Sequence, residues 1–488
     1  MKRIFYNAHL IDENLDCDGA VLVQDGKIFA VIQGNFSDAD SARSLASVFG
    51  TNEEDCSNSS CDGCKLSCEL DFVNCNGNVL MPSFVDMHVH ARYPGQTQKE
   101  DLSSLLNAAV AGGFGTVVLM PNTNPIVSSD NLAHSIESET NAQNKATVIQ
   151  SVSLTKDFDG KTTSHLDDLS GIPLWSEDGH DVQNSLIMLE AMSKASVKGA
   201  IVACHCEDES FNAESRSLRK LALEQYDTAG EKFYESGESF ENGESFENGE
   251  SCALAKMQAE TYMEDANELL ALAEDGATER NIHLAQVAGC KIHLCHVSTA
   301  NSLAAVQRAW NEKSDFSKKV TCEVTPHHFG LDVTENRANL KYIVNPPIRS
   351  ASDRVSLIKE LCNESNDNIV ISTDHAPHTM QDKLNGAPGF PGLETSFAVA
   401  NTVLVLQNGA TLRRISKLMS ANPSRILNLP DEGSLKVGKN ANLVLVDTKQ
   451  EWTVDSSKFY TKGKMCPFEG MELTGKVLGT WFRGSKVF

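Results

Sequence analysis

Eight short apolar runs rich in Val and Ile recur between residues 84 and 373, and amphipathic stretches separate many of them. The runs fall at 84–90, 116–120, 147–152, 172–175, 200–204, 292–296, 320–324 and 369–373. Helical periodicity marks 100–112, 183–197, 257–288, 299–310 and 351–362. A short run that is apolar on both faces, followed by a helix, is the sequence form of a βα unit. Eight such units predict an α/β fold, a (β/α)8 barrel over about residues 81–428.

The pattern differs on either side. Ile4-Phe5-Tyr6, Gly19-Ala20-Val21-Leu22-Val23 and Lys27-Ile28-Phe29-Ala30-Val31-Ile32 suit an antiparallel sheet, and Gln24-Asp25-Gly26-Lys27 is a hairpin signal. Alternation returns after Leu427, in Gly433-Ser434-Leu435, Ala441–Asp447 and Gly475-Lys476-Val477. Residues 1–80 and 429–488 are therefore expected to form one small β-sandwich domain that the chain leaves and rejoins.

Two segments interrupt this plan. Residues 36–75 are polar and read as a cysteine-rich insert carrying Cys56, Cys61, Cys64, Cys68 and Cys75. Cys61 and Cys64 form a single Cys-x-x-Cys without a second well-spaced pair, which favours an insertion over a separate zinc or redox site. Residues 235–251 contain Glu-Ser-Phe-Glu-Asn-Gly twice, an acidic repeat with too little apolar surface to order itself.

The ends of the runs carry the chemistry. They bear His88 and His90, Asn122, Asp178, His205, His296, Thr325 and Asp374. Strand periodicity does not require a polar residue there, whereas barrel active sites lie at the C-terminal face. Side chains alternate along a strand, so His88, His90 and Arg92 share one face. Arg92 can grip an anion beside a metal held by the two imidazoles. His88, His90, Asp178, His205, His296 and Asp374 together suit two Zn²⁺ ions. Two metals sharing a hydroxide would lower its pKa and polarise a carbonyl, which equips a site to open or close an amide. His293 and His375 alternate to the opposite face, and His327 and His328 are expected to support the ligands rather than bind metal.

Acidic residues outnumber basic ones, 66 to 42, for a net charge of −24. That balance opposes nucleic acid and anionic membrane as partners. The N-terminus has no apolar signal region and no run approaches a membrane span, so a cytosolic location is expected. Cys204, Cys206, Cys295 and Cys322 lie in or beside apolar runs and read as reduced core residues.

The motifs resemble the amidohydrolase superfamily, and within it class I dihydroorotase. They are Met81–Arg92, Met120-Pro121-Asn122-Thr123, His205-Cys206-Glu207-Asp208, Cys295-His296-Val297-Ser298, Glu323–His328, Asn345-Pro346-Pro347-Ile348-Arg349, Asp374–His378 and Gly392-Leu393-Glu394-Thr395. By this resemblance His88, His90 and Asp374 hold a buried zinc, and His205 and His296 an exposed one. Asp178 and a hydroxide bridge the pair, with Glu177 as the alternative bridge. Relatives that bridge through a carbamylated lysine, including hydantoinases, differ at this point.

The implied reaction is the reversible cyclisation of N-carbamoyl-L-aspartate to L-dihydroorotate, a step of pyrimidine biosynthesis, with Asp374 as general acid and base. Arg92, Asn122, Asn345 and His378 resemble the substrate contacts, together with His90 and backbone near Pro388 and Gly389. The resemblance is compatible with a homo-oligomer and with a complex with aspartate transcarbamoylase. A hydantoinase or allantoinase would share the fold and metals and differ in the pocket. An inactive structural partner would have lost ligands, and all six candidates are present.

Overall fold

The computed structural model describes residues 1–49, 70–228, 249–333 and 340–488. Cys56, Cys61, Cys64, Cys68 and most of the 235–251 repeat lie outside the described residues.

In chain order the strands are β1 (Lys2–Ile11), β2 (Asp16–Gln24), β3 (Lys27–Gln33), β4 (Leu70–Asn74), β5 (Val79–Pro82), β6 (Phe84–Val89), β7 (Phe114–Leu119) and β8 (Thr147–Gln150). They continue with β9 (Leu174–Ser176), β10 (Ile201–Cys204), β11 (Lys291–Leu294), β12 (Val320–Val324), β13 (Ile369–Ile371), β14 (Leu443–Thr453), β15 (Glu472–Phe482) and β16 (Ser485–Lys486). The eight runs expected as parallel strands correspond to β6 through β13, with ends shifted by a few residues.

β6, β7 and β8 pair in parallel as one arc, and β9 through β13 as a second. Isolated bridges join the arcs at Val152–Trp175 and Val89–His375. One apolar cluster collects Val85, Val118, Ile149, Leu174, Ala203 and Val370, a side chain from six different parallel strands. A larger cluster lies between the strands and the helices. Phe84 anchors part of it, with Phe114 at 5.7 Å and Phe397 at 5.6 Å between ring centroids. Gly113 has φ +88, and a Cβ there would meet the Phe84 ring at 2.9 Å, so the turn before β7 needs glycine.

All five expected helices are present, as Leu102–Ala111, Ser185–Lys198, Gly249–Ala288, Ala300–Trp310 and Ala351–Leu361. Helices Asp130–Asn141 and Glu209–Thr228 were not expected. Asp130–Asn141 buries only Ala133, Ile136 and Thr140, too narrow a stripe to stand out as a periodic pattern.

The terminal segments meet in one continuous eight-stranded sheet, ordered β16-β15-β14-β5-β1-β2-β3 with β4 also on β1. The described ends of the expected 36–75 insert correct that reading. Leu70–Asn74 is a strand that pairs in parallel with the first half of β1, while β5 pairs with its second half. A register shift between Phe5 and Ala8 separates these halves. Cys75 is fully buried against Phe5, Leu80 and Trp481, so it belongs to the sheet's core. Ala39–Ser44 is helical, capped by the Asp38 carboxylate.

Candidate active site

The segments that follow β6, β7, β9, β10, β11 and β13 converge on one cleft. The cleft has a volume of about 280 Å³. Its lining includes His90, Arg92, Asn122, Asp178, His205, His296, Asn345, Asp374, His378, Pro388 and Gly389. His88 lies just beneath it, fully buried. Every residue singled out for metal or substrate is therefore gathered here.

Buried carboxylates behind the strands set the histidines. Asp86 accepts the backbone N–H groups of His88 and Thr373, both at 3.1 Å, and the Thr373 hydroxyl at 2.6 Å. It ties β6 to the chain just before Asp374. Glu323 on β12 accepts from His88 Nδ1 at 2.6 Å and from His293 Nε2 at 3.0 Å. His293 Nδ1 in turn lies 2.9 Å from the Thr321 hydroxyl. His293 thus supports a ligand candidate through Glu323, from the face opposite His296, rather than binding metal itself. Glu323 had no role in the sequence reading. The available signal was a lone acid inside the apolar run Val320–Val324, which must find a partner when buried.

The hydrogen bonds assign the imidazole protons. Asn122 Nδ2 donates to Asp178 Oδ2 at 3.0 Å, so Asn122 Oδ1 is the acceptor for His90 Nδ1 at 2.9 Å. This leaves His90 Nε2 directed at Asp374 Oδ1, 3.0 Å away, and at Asp178 Oδ2, 3.5 Å away. His88 behaves likewise. Its Nδ1 is taken by Glu323, and its Nε2 faces Asp178 Oδ1 at 3.2 Å and Asp374 Oδ1 at 3.5 Å.

His88 Nε2, Asp178 Oδ1 and His296 Nδ1 are buried without a hydrogen-bond partner. Ligand atoms of His88, Asp178 and His296, one from each, lie within 4.8 Å of one another, as do ligand atoms of His88, His90 and Asp374. Converging buried lone pairs are costly unless protons or a cation intervene. Burial opposes a charge on His88, but Glu323, Asp178 and Asp374 outweigh it and hold His88 well above its usual pKa. Burial likewise opposes the anions of Asp178 and Asp374. His88 and the neighbouring histidines outweigh it and hold both well below the usual carboxylate range. A divalent cation would supply the same positive charge, so the donor set fits one.

A third cluster, His88, Cys295 and Glu323, is a poorer fit. Burial keeps the Cys295 thiol well above its usual pKa and so protonated. Glu177 accepts the Thr155 backbone N–H at 2.9 Å and turns away from the cluster. His205 Nδ1 lies 2.8 Å from His296 Nε2 and 3.4 Å from Asp178 Oδ1.

Arg92 enters from the same strand end with φ +56. Its guanidinium is buried, with Nε donating to Pro377 O at 3.3 Å and Nη2 lying 3.1 Å from His378 Nε2. Asn345 Oδ1 accepts from Arg219 Nη1 at 2.6 Å, so Arg219 holds an amide of the cleft. His328 contacts Thr325 Oγ1 at 2.7 Å and Pro346 O at 3.1 Å, which supports the Asn345-Pro346 turn rather than a metal. His375 faces Glu100 at 3.4 Å, away from the cleft.

The Amidohydrolase family model matches residues 79–487. The chain belongs to the amidohydrolase family. This amidohydrolase is 33% identical to a protein named dihydroorotase from Clostridium botulinum over 483 residues, 98% of each chain. It is 30% identical to one from Syntrophus aciditrophicus over 504 residues, covering 100% and 99% of the two chains. Among solved structures, the L-hydantoinase (dihydropyrimidinase) from Arthrobacter aurescens gives a TM-score of 0.75 at 22% identity, over 99% and 95% of the chains. The dihydropyrimidinase from Brevibacillus agri gives 0.72 at 19%, over 100% and 95%. At such identities the structural likeness speaks for the fold alone. Among the described residues no helix of this amidohydrolase is long and apolar enough to cross a membrane.

Proposed function

We propose that this amidohydrolase is a dihydroorotase, interconverting N-carbamoyl-L-aspartate and L-dihydroorotate in pyrimidine biosynthesis. The observation that carries the reading is Arg92. It is a buried guanidinium in the cleft wall, and among the described residues no carboxylate lies within ion-pair distance of it. A guanidinium stays protonated at any ordinary pH, so a buried fork of this kind suits an anionic substrate group. Dihydroorotate carries a carboxylate beside its cyclic amide.

We read β6 through β13 as a closed (β/α)8 barrel over about residues 81–428, with residues 1–80 and 429–488 as a small β-sandwich domain. His88, His90 and Asp374 would hold one Zn²⁺, His205 and His296 a second, and Asp178 would bridge them. When bound, such a pair activates water and polarises the scissile carbonyl. The chain's own residues do the rest. Arg92 and His378 bind the carboxylate, and Asn122 and Asn345 orient the ring. Backbone at Pro388 and Gly389 closes over it. Asp374, in the cleft wall, takes a proton on hydrolysis and returns it to the leaving ring nitrogen. The setting is cytoplasmic and the partner a small molecule; a homo-oligomer or a complex with aspartate transcarbamoylase fits equally well.

The test compares dihydroorotate with uncharged dihydrouracil in wild type and Arg92→Met, with metal content measured alongside. We expect wild type to turn over dihydroorotate, to lose activity on chelation and to regain it with Zn²⁺. Arg92→Met should keep its metal and lose roughly 2–5 kcal/mol of transition-state stabilisation on dihydroorotate alone. Wild-type preference for dihydrouracil, or equal losses on both substrates, would return the chain to the hydantoinase class.

A further inference from the structure

Lys383 is 1% exposed, yet among the described residues no carboxylate lies within ion-pair distance of it. It sits on the short helix Met380–Leu384, which Thr379 and Asp382 cap reciprocally. Its Nζ donates to three backbone carbonyls, those of Ile343, Ala387 and Gly389, each at 3.0 Å. An ammonium has three N–H groups, so all are used. Burial pushes its pKa down to about 7, with Arg219 adding repulsion. The three carbonyls favour the ammonium form that burial opposes, so the side chain is held here at a desolvation cost that purely apolar packing would avoid.

The three carbonyls belong to two separate loops of the cleft. Ile343 immediately precedes Val344 and Asn345, which line it. Ala387 and Gly389 flank Pro388, whose carbonyl lies 2.9 Å from His378 Nε2. The loops also touch directly, the Gly389 N–H donating to Ile343 O at 2.9 Å. Gly389 holds φ +116, and a Cβ there would meet Ala376 at 2.8 Å. The loop therefore rests against the Asp374–His378 segment from one side and against Lys383 from the other.

We propose that Lys383 is a positioning residue, a three-point clamp that holds the Asn345 loop and the Pro388-Gly389 loop together as one wall of the substrate cleft. Without it, the Ala387 and Gly389 carbonyls lose their Nζ donor, and Ile343 O keeps only the Gly389 N–H. The wall then loosens, while the metal-ligand cluster on the strand ends keeps its own supports, Glu323 and Asp86.

The clamp rests on the dihydroorotase reading only for its kinetic consequence. The test uses the full-length protein and Lys383→Met, read by hydrogen exchange, metal content, melting and steady-state kinetics. Amide exchange should rise about tenfold or more in segments 342–346 and 386–391 and stay unchanged at β6 and β12. For dihydroorotate, KM should rise about tenfold while kcat stays within about threefold and metal content is unchanged. Lys383→Gln keeps two N–H donors at shorter reach. It should fall between wild type and Lys383→Met, and it provides the same readouts if the methionine variant does not fold. Unchanged loop exchange, a uniform rise across the protein, or a fall in kcat at constant KM would each overturn the clamp. Failure of wild type to turn over dihydroorotate would overturn the reading of function instead, and the exchange measurement would still decide the clamp.

Discussion

His88 and His90 each have one ring nitrogen already committed, to Glu323 and to Asn122 respectively. That commitment, more than the His-x-His spacing, aims their other nitrogens at Asp178 and Asp374. Glu323 is the deeper of the two supports, with both oxygens engaged by imidazoles. Glu323→Gln nearly preserves shape but removes the charge that favours a proton on His88 Nδ1. Losing such an outer partner typically costs 10–100-fold in metal affinity, and a loss of about that size is expected here. Metal retained per chain during dialysis against a graded chelator measures it. Retention equal to wild type would mean the His88 tautomer is fixed by something other than Glu323.

Between elements, a buried ion pair helps to fasten the long helix Gly249–Ala288 to the cleft. Glu274 accepts the backbone N–H groups of Ser298 and Thr299 at 2.8 and 3.1 Å. These follow His296 by two and three residues. Arg349 donates to Glu274 at 3.0 Å and to the helix carbonyls of Asn267 and Leu270. Glu274→Ala would leave Arg349 buried without its charge partner and free two N–H groups, a loss of roughly 3–5 kcal/mol. Denaturant unfolding should show it as a lower midpoint; a loss below about 1 kcal/mol would mean that water reaches and solvates Arg349.

Across the whole molecule, Glu394 joins the parallel-strand region to the returning C-terminal segment. It accepts the Tyr460 N–H at 2.8 Å and the Thr461 N–H at 3.3 Å. Burial outweighs those bonds and pushes its pKa up to about 7. A carboxyl raised in the folded state binds more protons folded than unfolded between about pH 4.5 and 7. Its stabilising contribution is thus complete below that window and is lost as pH rises through it. Glu394→Gln mimics the protonated form and should lack this slope. Relative to wild type, the variant should gain stability of roughly 2 kcal/mol between pH 5 and 7.5 in denaturant titrations. Parallel curves for the two proteins would mean that Glu394 is ionised throughout the range.

Local and repeating features are legible in the amino-acid order alone. The short Val- and Ile-rich runs between 84 and 373 are strands, and their β-branched side chains and length suffice to locate all eight from β6 to β13. The ligand types at their ends followed from the same positions, whereas Arg92 lies beyond the end of β6 and reaches the cleft through a left-handed turn that alternation does not foresee. Tertiary structure alone decided what depends on contacts distant in sequence. Leu70–Asn74 looked like the tail of a polar insert, and only the free edge of β1 makes it a strand. The partners of Glu323 and Lys383 leave no local pattern, one lying 235 positions away and the others being three carbonyls from two loops. Burial turned both residues into supports of the cleft, since a charge removed from water must be answered by whatever the fold brings beside it.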